Sequence, residues 1–130
     1  MNVEDILNKM ENEDGFFKHN NYHIVEANDK NITLRADLDK NSMNPYGMAH
    51  GGLIFGLGDT TMGMLAASSG RRALTLNANI SYLAPGEGKY LLANGEIIKK
   101  GKTICVVRVN IYNDQKKLIS TMESTYYFID

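Results

Sequence analysis

A chain of 130 residues that is 43% hydrophobic carries enough apolar mass for one packed core and too much for a disordered segment, so a single domain over residues 1–130 is expected. Its 14 basic and 15 acidic side chains leave a net charge of -1, which argues against a nucleic-acid or anionic-membrane partner, because both need a concentrated basic face. The one cysteine, Cys105, excludes an intrachain disulfide and reads as a buried thiol within the apolar run TICVVRV.

The opening segment MNVEDILNKMENEDG is acidic and helix-patterned rather than a secretory leader. Nothing along the chain approaches the ~20 apolar residues of a membrane helix. A soluble, cytoplasmic protein is expected. Within that segment Val3, Ile6, Leu7 and Met10 fall at i, i+3, i+4 and i+7, one apolar stripe on a short amphipathic helix that Gly15 ends. HIVEAN and NITLRADL follow as two strands joined at Asn28–Asn31, the second with Ile32, Leu34, Ala36 and Leu38 on one face. DKNSMNPYG is a loop, in which Pro45 pushes Asn44 toward an extended conformation. From about Gly51 to Ser69 runs a helix, GGLIFGLGDTTMGMLAASS, apolar around most of its circumference and so buried on nearly all sides. Four more strands are predicted: LTLNANISYLAP, KYLLANGEIIKK, KTICVVRVNIY and LISTMESTYYFID, with turns at Pro85-Gly86, Lys100-Gly101 and Asn113-Asp114. In the first of them Leu74, Leu76, Ala78, Ile80 and Tyr82 alternate. In the last, Leu118, Met122, Tyr126 and Phe128 share a face. The economical solution is an α+β fold: a strongly curved antiparallel sheet wrapped around one long central helix, with a short N-terminal helix.

Residues 44 to 59, NPYGMAHGGLIFGLGD, hold the candidate chemistry. Asn44, Pro45 and Gly47 shape a loop into the helix. Gly51 and Gly52 sit at its start, where the first N–H groups lack internal partners and carry the positive end of the helix dipole, an oxyanion site without a charged side chain. The plainer reading is that the two glycines only allow a tight turn. Asp59 is a carboxylate in the middle of an apolar helix, expensive unless paired or functional. A structural carboxylate bonded to Thr60 or Thr61 is the plainer alternative. Eight residues separate Gly51 from Asp59, about 12 Å along one helix, too far for both to touch one carbonyl. Two such helices antiparallel across a two-fold axis would bring Asp59 of one beside Gly51 of the other. They would cross near Phe55, where Gly56 and Gly58 leave room.

Asn44-Pro45-x-Gly47-x-x-His50-Gly51-Gly52 followed by Asp59 resembles the motif of the PaaI-like acyl-CoA thioesterases of the hotdog superfamily. Leu74-Thr75-Leu76-Asn77 with Ser81-Tyr82-Leu83-x-Pro85-Gly86 resembles the strand after the helix in that family, and Lys100-Gly101-Lys102 its next hairpin. The resemblance covers nearly the whole chain. It implies a hotdog fold, an acyl-CoA substrate, and a homodimer with sites at the subunit interface, assembled further into a homotetramer. It implies that the Gly51 N–H polarises the thioester carbonyl and that Asp59 of the opposite subunit is nucleophile or general base. Asn44 would hold the water or the carboxylate, His50 would brace the loop near the thioester, and Gly52, Thr75 and Asn77 would line the substrate. Gly58 departs from the pattern, where a larger small residue is usual.

A thioester is already activated, so a polarised carbonyl and an activated water or carboxylate suffice. His19, His23 and His50 show no metal-ligand spacing with Cys105, and no phosphate-binding or dinucleotide fingerprint occurs. No metal and no cofactor are expected, CoA being part of the substrate. Lys99, Lys100 and Lys102 read as a solvated turn, or as contacts to CoA phosphates. Arg71 and Arg72 read as cations complementing the helix C-terminus. Met43, Met48, Met62 and Met64 read as core and interface packing, or as acyl-tunnel lining. Two rival functions remain. A hotdog enoyl-CoA hydratase or dehydratase would pair the Asp with a downstream His on the same helix, which this chain lacks. The other is a non-catalytic acyl-CoA-binding module.

Overall fold

The computed structural model of the chain describes residues 3–130. Helix α1 spans Val3–Glu13. Ile6 of the predicted stripe is buried, and Leu7 and Met10 pack against the core, while the side chain of Val3 lies outside what is described. The sequence ends this segment at Gly15. Instead Gly15 opens a second short helix, α2 (Gly15–His19), because Asp14 caps it: Asp14 Oδ1 accepts from Phe17 N–H at 2.9 Å. Phe17 is buried edge-on to Tyr22, with ring centroids 6.1 Å apart.

Strands β1 (Tyr22–Ala27) and β2 (Asn31–Asp37) form a hairpin. A turn of 3-10 helix at Lys40–Ser42 and a loop lead to the long helix α3 (Gly51–Ala67). Strands β3 (Ala73–Tyr82), β4 (Tyr90–Lys100), β5 (Ile104–Asn113) and β6 (Leu118–Phe128) follow. They make one six-stranded sheet in the order β1-β2-β4-β5-β6-β3, with every neighbouring pair antiparallel. The period-two pattern sets which side chains meet the helix. Ile32, Leu34 and Ala36 of β2, Cys105, Val107, Val109 and Ile111 of β5, and Met122 and Tyr126 of β6 are all buried. Leu53, Leu57, Met62 and Leu65 of α3 are buried against them, each contributing about 1.5–3 kcal/mol by leaving water. Burial also pushes the Cys105 thiol above its ordinary value. Among the described residues no helix is long and apolar enough to cross a membrane.

Two expectations change at this level. The glycines predicted to leave room for a second helix serve this subunit instead. A Cβ on Gly58 would overlap Met122 Sδ and lie 3.2 Å from Val109 Cγ1. One on Gly56 would lie 2.8 Å from Phe16 Cε2 and from Tyr22 Oη, and that hydroxyl donates to Leu53 O at 2.7 Å. Both glycines let the sheet and α2 approach α3. The second change concerns β3: of its alternating apolar residues Ala78 and Ile80 are partly covered by their own chain, and Leu74, Leu76 and Tyr82 are exposed. Leu76 is 59% exposed and Tyr82 52% exposed, and the register against β6 shifts between Thr75 and Asn77, a bulge at Leu76. β3 is thus a ten-residue edge strand with exposed apolar side chains at Leu74, Leu76 and Tyr82, the kind of edge that templates pairing with another chain.

Candidate functional site

The loop before α3 is built around Asn44. Its Oδ1 accepts from Tyr46 N–H at 2.9 Å and Met48 N–H at 3.1 Å, an Asx-type turn that Gly47 completes with φ of 77°. Ala49 N–H donates to Gly86 O at 2.9 Å and His50 N–H to Ser42 O at 2.8 Å. The chain therefore enters the helix anchored on both sides. Asn44 keeps its side-chain amide N–H groups, which make no hydrogen bond among the described residues.

His50 is the N-cap of α3, with φ -62° and ψ 137°. Its Nδ1 accepts from Gly52 N–H at 2.8 Å, which assigns the ring proton of the neutral imidazole to Nε2. The His50 carbonyl accepts from Leu53 N–H at 3.0 Å and Ile54 N–H at 3.2 Å. Of the first four N–H groups, only that of Gly51 has no partner among the described residues. Sequence reasoning treated the helix start as a group of free donors. The histidine cap narrows it to one, and Gly52 contributes space rather than a donor. Tyr82, which sequence reasoning took only as a strand residue, donates its hydroxyl to Gly51 O at 2.8 Å. Gly51, Gly52, Asn44, Met48 and Tyr82 line a cavity of about 630 Å³.

Asp59 lies two turns further along α3 and is half-buried. Its Oδ1 accepts from Tyr126 Oη at 2.8 Å and from Thr75 Oγ1 at 3.1 Å. Tyr126 Oη also lies 3.0 Å from the Asp59 carbonyl oxygen; the nearer, charged oxygen is the stronger acceptor for its one proton. Burial first, and then the adjacent Asp59 carboxylate, hold the Tyr126 phenol far above its ordinary value, so it remains a donor. Asp59 Oδ2 makes no hydrogen bond among the described residues. Thr61 does not reach the carboxylate: its Oγ1 bonds back to Leu57 O at 2.7 Å. Asp59, Thr75 and Tyr126 line a second cavity, of about 380 Å³. Tyr126 was assigned to the core on periodicity alone. The missed signal is that a buried phenol needs a partner for its hydroxyl.

Within one chain, then, the predicted residues divide into two groups. Asn44, His50, Gly51 and Gly52 gather at the start of α3. Asp59 and Thr75 gather at the other cavity. Asn77 joins neither: it lies exposed beyond the bulge and makes no side-chain hydrogen bond among the described residues. Arg71 and Arg72 do not serve the end of α3. Arg71 Nη2 donates to Asp130 O at 2.6 Å and Nη1 to Lys102 O at 2.7 Å, while Arg72 Nε donates to the Asp130 carboxylate at 3.0 Å. The Arg72 contact holds the Asp130 carboxyl below its usual range. The methionines split between the two readings: Met62 is core, Met48 lines the larger cavity and Met64 the smaller. Among the described residues no three His, Cys, Asp or Glu side chains cluster closely enough for a metal ion.

Residues 46–120 match the family model described as Thioesterase superfamily. Acyl-coenzyme A thioesterase 13 of Mus musculus is 27% identical over 93 residues, spanning 69% of this chain and 66% of that relative. The crystal structure of a hypothetical thioesterase protein with coenzyme A from Streptococcus pneumoniae TIGR4 is 32% identical. It superposes with a TM-score of 0.79 over 83% of this chain and 85% of its own. The E. coli PaaI protein from the phenylacetic acid degradation operon superposes with a TM-score of 0.93 over 98% of this chain and 94% of its own; at 22% identity that likeness concerns the fold.

Proposed function

The chain belongs to the Thioesterase superfamily and is a thioester hydrolase of hotdog fold, and from that premise we propose that it hydrolyses acyl-CoA at two equivalent sites, each built from two subunits. One observation carries this reading. The one N–H of the α3 start and the carboxylate oxygen of Asp59 that have no hydrogen bond among the described residues belong to residues lining different cavities of one chain, eight residues apart on one helix. Chemistry that needs both needs a second copy. The exposed Leu74, Leu76 and Tyr82 on the β3 edge support pairing with that copy.

In each site the thioester carbonyl oxygen rests on Gly51 N–H, where charge developing in the tetrahedral intermediate meets a preset donor and the positive end of α3. The Asn44 amide lies in the same cavity and holds the attacking water or the partner's carboxylate. Asp59 of the partner subunit acts through Oδ2. As general base it takes a proton from water, whose oxygen adds to the carbonyl carbon; the intermediate collapses, expelling the CoA thiolate, which takes up a proton. As nucleophile the same oxygen adds to the carbon, expels the thiolate and leaves an anhydride that water then opens. Both routes require Oδ1 to be fixed so that Oδ2 faces the substrate, and Tyr126 and Thr75 are the positioning residues that do so. The route uses the chain's own groups throughout, with CoA entering as part of the substrate. A pair of such dimers, the expected tetramer, preserves every site.

The direct test is release of free thiol from a series of acyl-CoA esters, followed beside hydration of a crotonyl-type ester. Stoichiometric thiol and acid are expected. Tight binding without thiol release would overturn the reading in favour of a binding module, and hydration without release in favour of a hydratase. Tyr126→Phe removes one of the two hydroxyls on Oδ1 and leaves the ring in place. A hydrogen bond to a charged group is worth about 1.5–3 kcal/mol, so kcat is expected to fall ~10- to 100-fold with KM little changed. Parental kcat in this variant would remove Tyr126 from the account.

A further inference from the structure

We propose that Tyr82 is a positioning residue for this reaction, its hydroxyl holding the Gly51 peptide so that the Gly51 N–H keeps a single direction. The proposal rests on the thioesterase reading above and adds the group that aims its oxyanion donor.

The donor sits on the residue type least able to hold it. Glycine has no Cβ to restrict φ and ψ, and an oxyanion donor works only when it is aimed before charge develops. The Gly51 backbone therefore has to be fixed by other groups. The peptide between Gly51 and Gly52 is held at both ends. Its N–H donates to His50 Nδ1 at 2.8 Å, and its carbonyl accepts from Tyr82 Oη at 2.8 Å. The first bond is made within the helix cap itself. The second comes from β3, 31 residues along the chain, and ties the helix start to the sheet. The Tyr82 ring also stands where a side chain at position 51 would project, its Cζ 3.5 Å from a Cβ placed there. It covers that side of Gly51, while the N–H has no partner among the described residues.

β3 makes a matching bond near its other end, where Thr75 Oγ1 donates to Asp59 Oδ1 at 3.1 Å. Thr75 and Tyr82 are seven positions apart, an odd number that in an unbroken strand sends two side chains to opposite faces of the sheet. The bulge corrects this. Thr75 opposes Tyr126 and Tyr82 opposes Ser120, two buried residues six positions apart on β6, and Leu76 is the extra residue on β3. Re-aiming a side chain in this way is a common use of a bulge beside an active site. Both hydroxyls reach α3 as a result. In the two-subunit arrangement Gly51 and Asp59 of one chain belong to different sites, so each β3 strand gives each site one positioning hydroxyl.

Tyr82→Phe removes the hydroxyl and keeps the ring. kcat is expected to fall about two- to tenfold, the scale of one neutral hydrogen bond, with KM little changed. A slightly loosened fold would also lower kcat, so the deciding measurement is the same substitution in Gly51→Pro. With no N–H at position 51 there is nothing left to aim, and Tyr82→Phe is expected to lower kcat no further there. In Tyr126→Phe, which loosens the other half of the site, the Tyr82→Phe factor is expected in full. NMR relaxation of the Gly51 amide reads the bond without turnover: that N–H is expected to gain mobility in Tyr82→Phe, while the amides of Leu57 and Leu65 deeper in α3 do not. Parental kcat in Tyr82→Phe would overturn the positioning role. So would an equal loss in the parent and in Gly51→Pro, or a Gly51 amide as rigid in the variant as in the parent. No thiol release by the parent from any ester would overturn the thioesterase reading and this role together.

Discussion

Asp59→Asn is expected to lose at least about 10²–10⁴-fold in kcat/KM, the scale for a removed catalytic acid or base, in a protein that folds as the parent does. The substitution is close to isosteric. The Asn amide oxygen still accepts from Tyr126 Oη and Thr75 Oγ1, the two bonds that hold Oδ1 now. What changes is the other atom: the free carboxylate oxygen becomes an NH₂, which neither accepts a proton from water nor adds to a carbonyl. Thermal unfolding measured beside CoA release separates the two effects. Turnover near that of the parent would mean that the carboxylate is structural.

Gly51→Pro is expected to cost about 10²–10³-fold in rate, the usual scale for one lost oxyanion donor, and the helix start is unusually ready to accept it. Position 51 is the first helical residue, where proline is favoured. His50 already has ψ 137°, the extended conformation that a residue before proline needs. The N–H removed has no partner among the described residues. A Cβ at this position would come 3.3 Å from Tyr82 Oη, so that ring has to yield by a few tenths of an ångström in any variant. Gly51→Ala makes the same contact and keeps the donor. Its loss should be smaller and appear mainly in KM, and the difference between the two variants isolates the N–H from the space above it. A folded proline variant with parental rate would show that the carbonyl is polarised elsewhere.

Most of the fold was legible because its elements carry clean periods. The apolar circumference of α3 and the alternation in β2, β5 and β6 state their own burial, and Asp59 stands out against such a helix. What escaped the sequence was whatever depends on a contact between distant segments. α2 is too short to show a period, and it exists because Asp14 caps it. Gly56 and Gly58 look like room for a partner until Phe16, Tyr22, Val109 and Met122 arrive from four other elements to fill it. Tyr126 lies 67 residues from Asp59, and its hydroxyl has no signature that distinguishes it from a core ring. Arg71 and Arg72 sit where a helix end would use them, but the C-terminal Asp130 reaches them first. The bulge at Leu76 is a register event that no local pattern announces, and it leaves Asn77 outside both cavities. The candidate site itself was half legible: the motif located both groups, and the histidine cap that silences Gly52 required coordinates.

The account stands on a site shared between two subunits, and mixing two inactive variants tests that most directly. Asp59→Asn chains and Gly51→Pro chains are exchanged, with exchange verified by mass spectrometry of differently tagged subunits. In a mixed dimer one site carries both lesions and the other carries neither. With equal amounts and random pairing, roughly a quarter of parental activity per chain should return. Activity that stays at the sum of the two residual rates, with mixed dimers demonstrably present, would contradict the shared site.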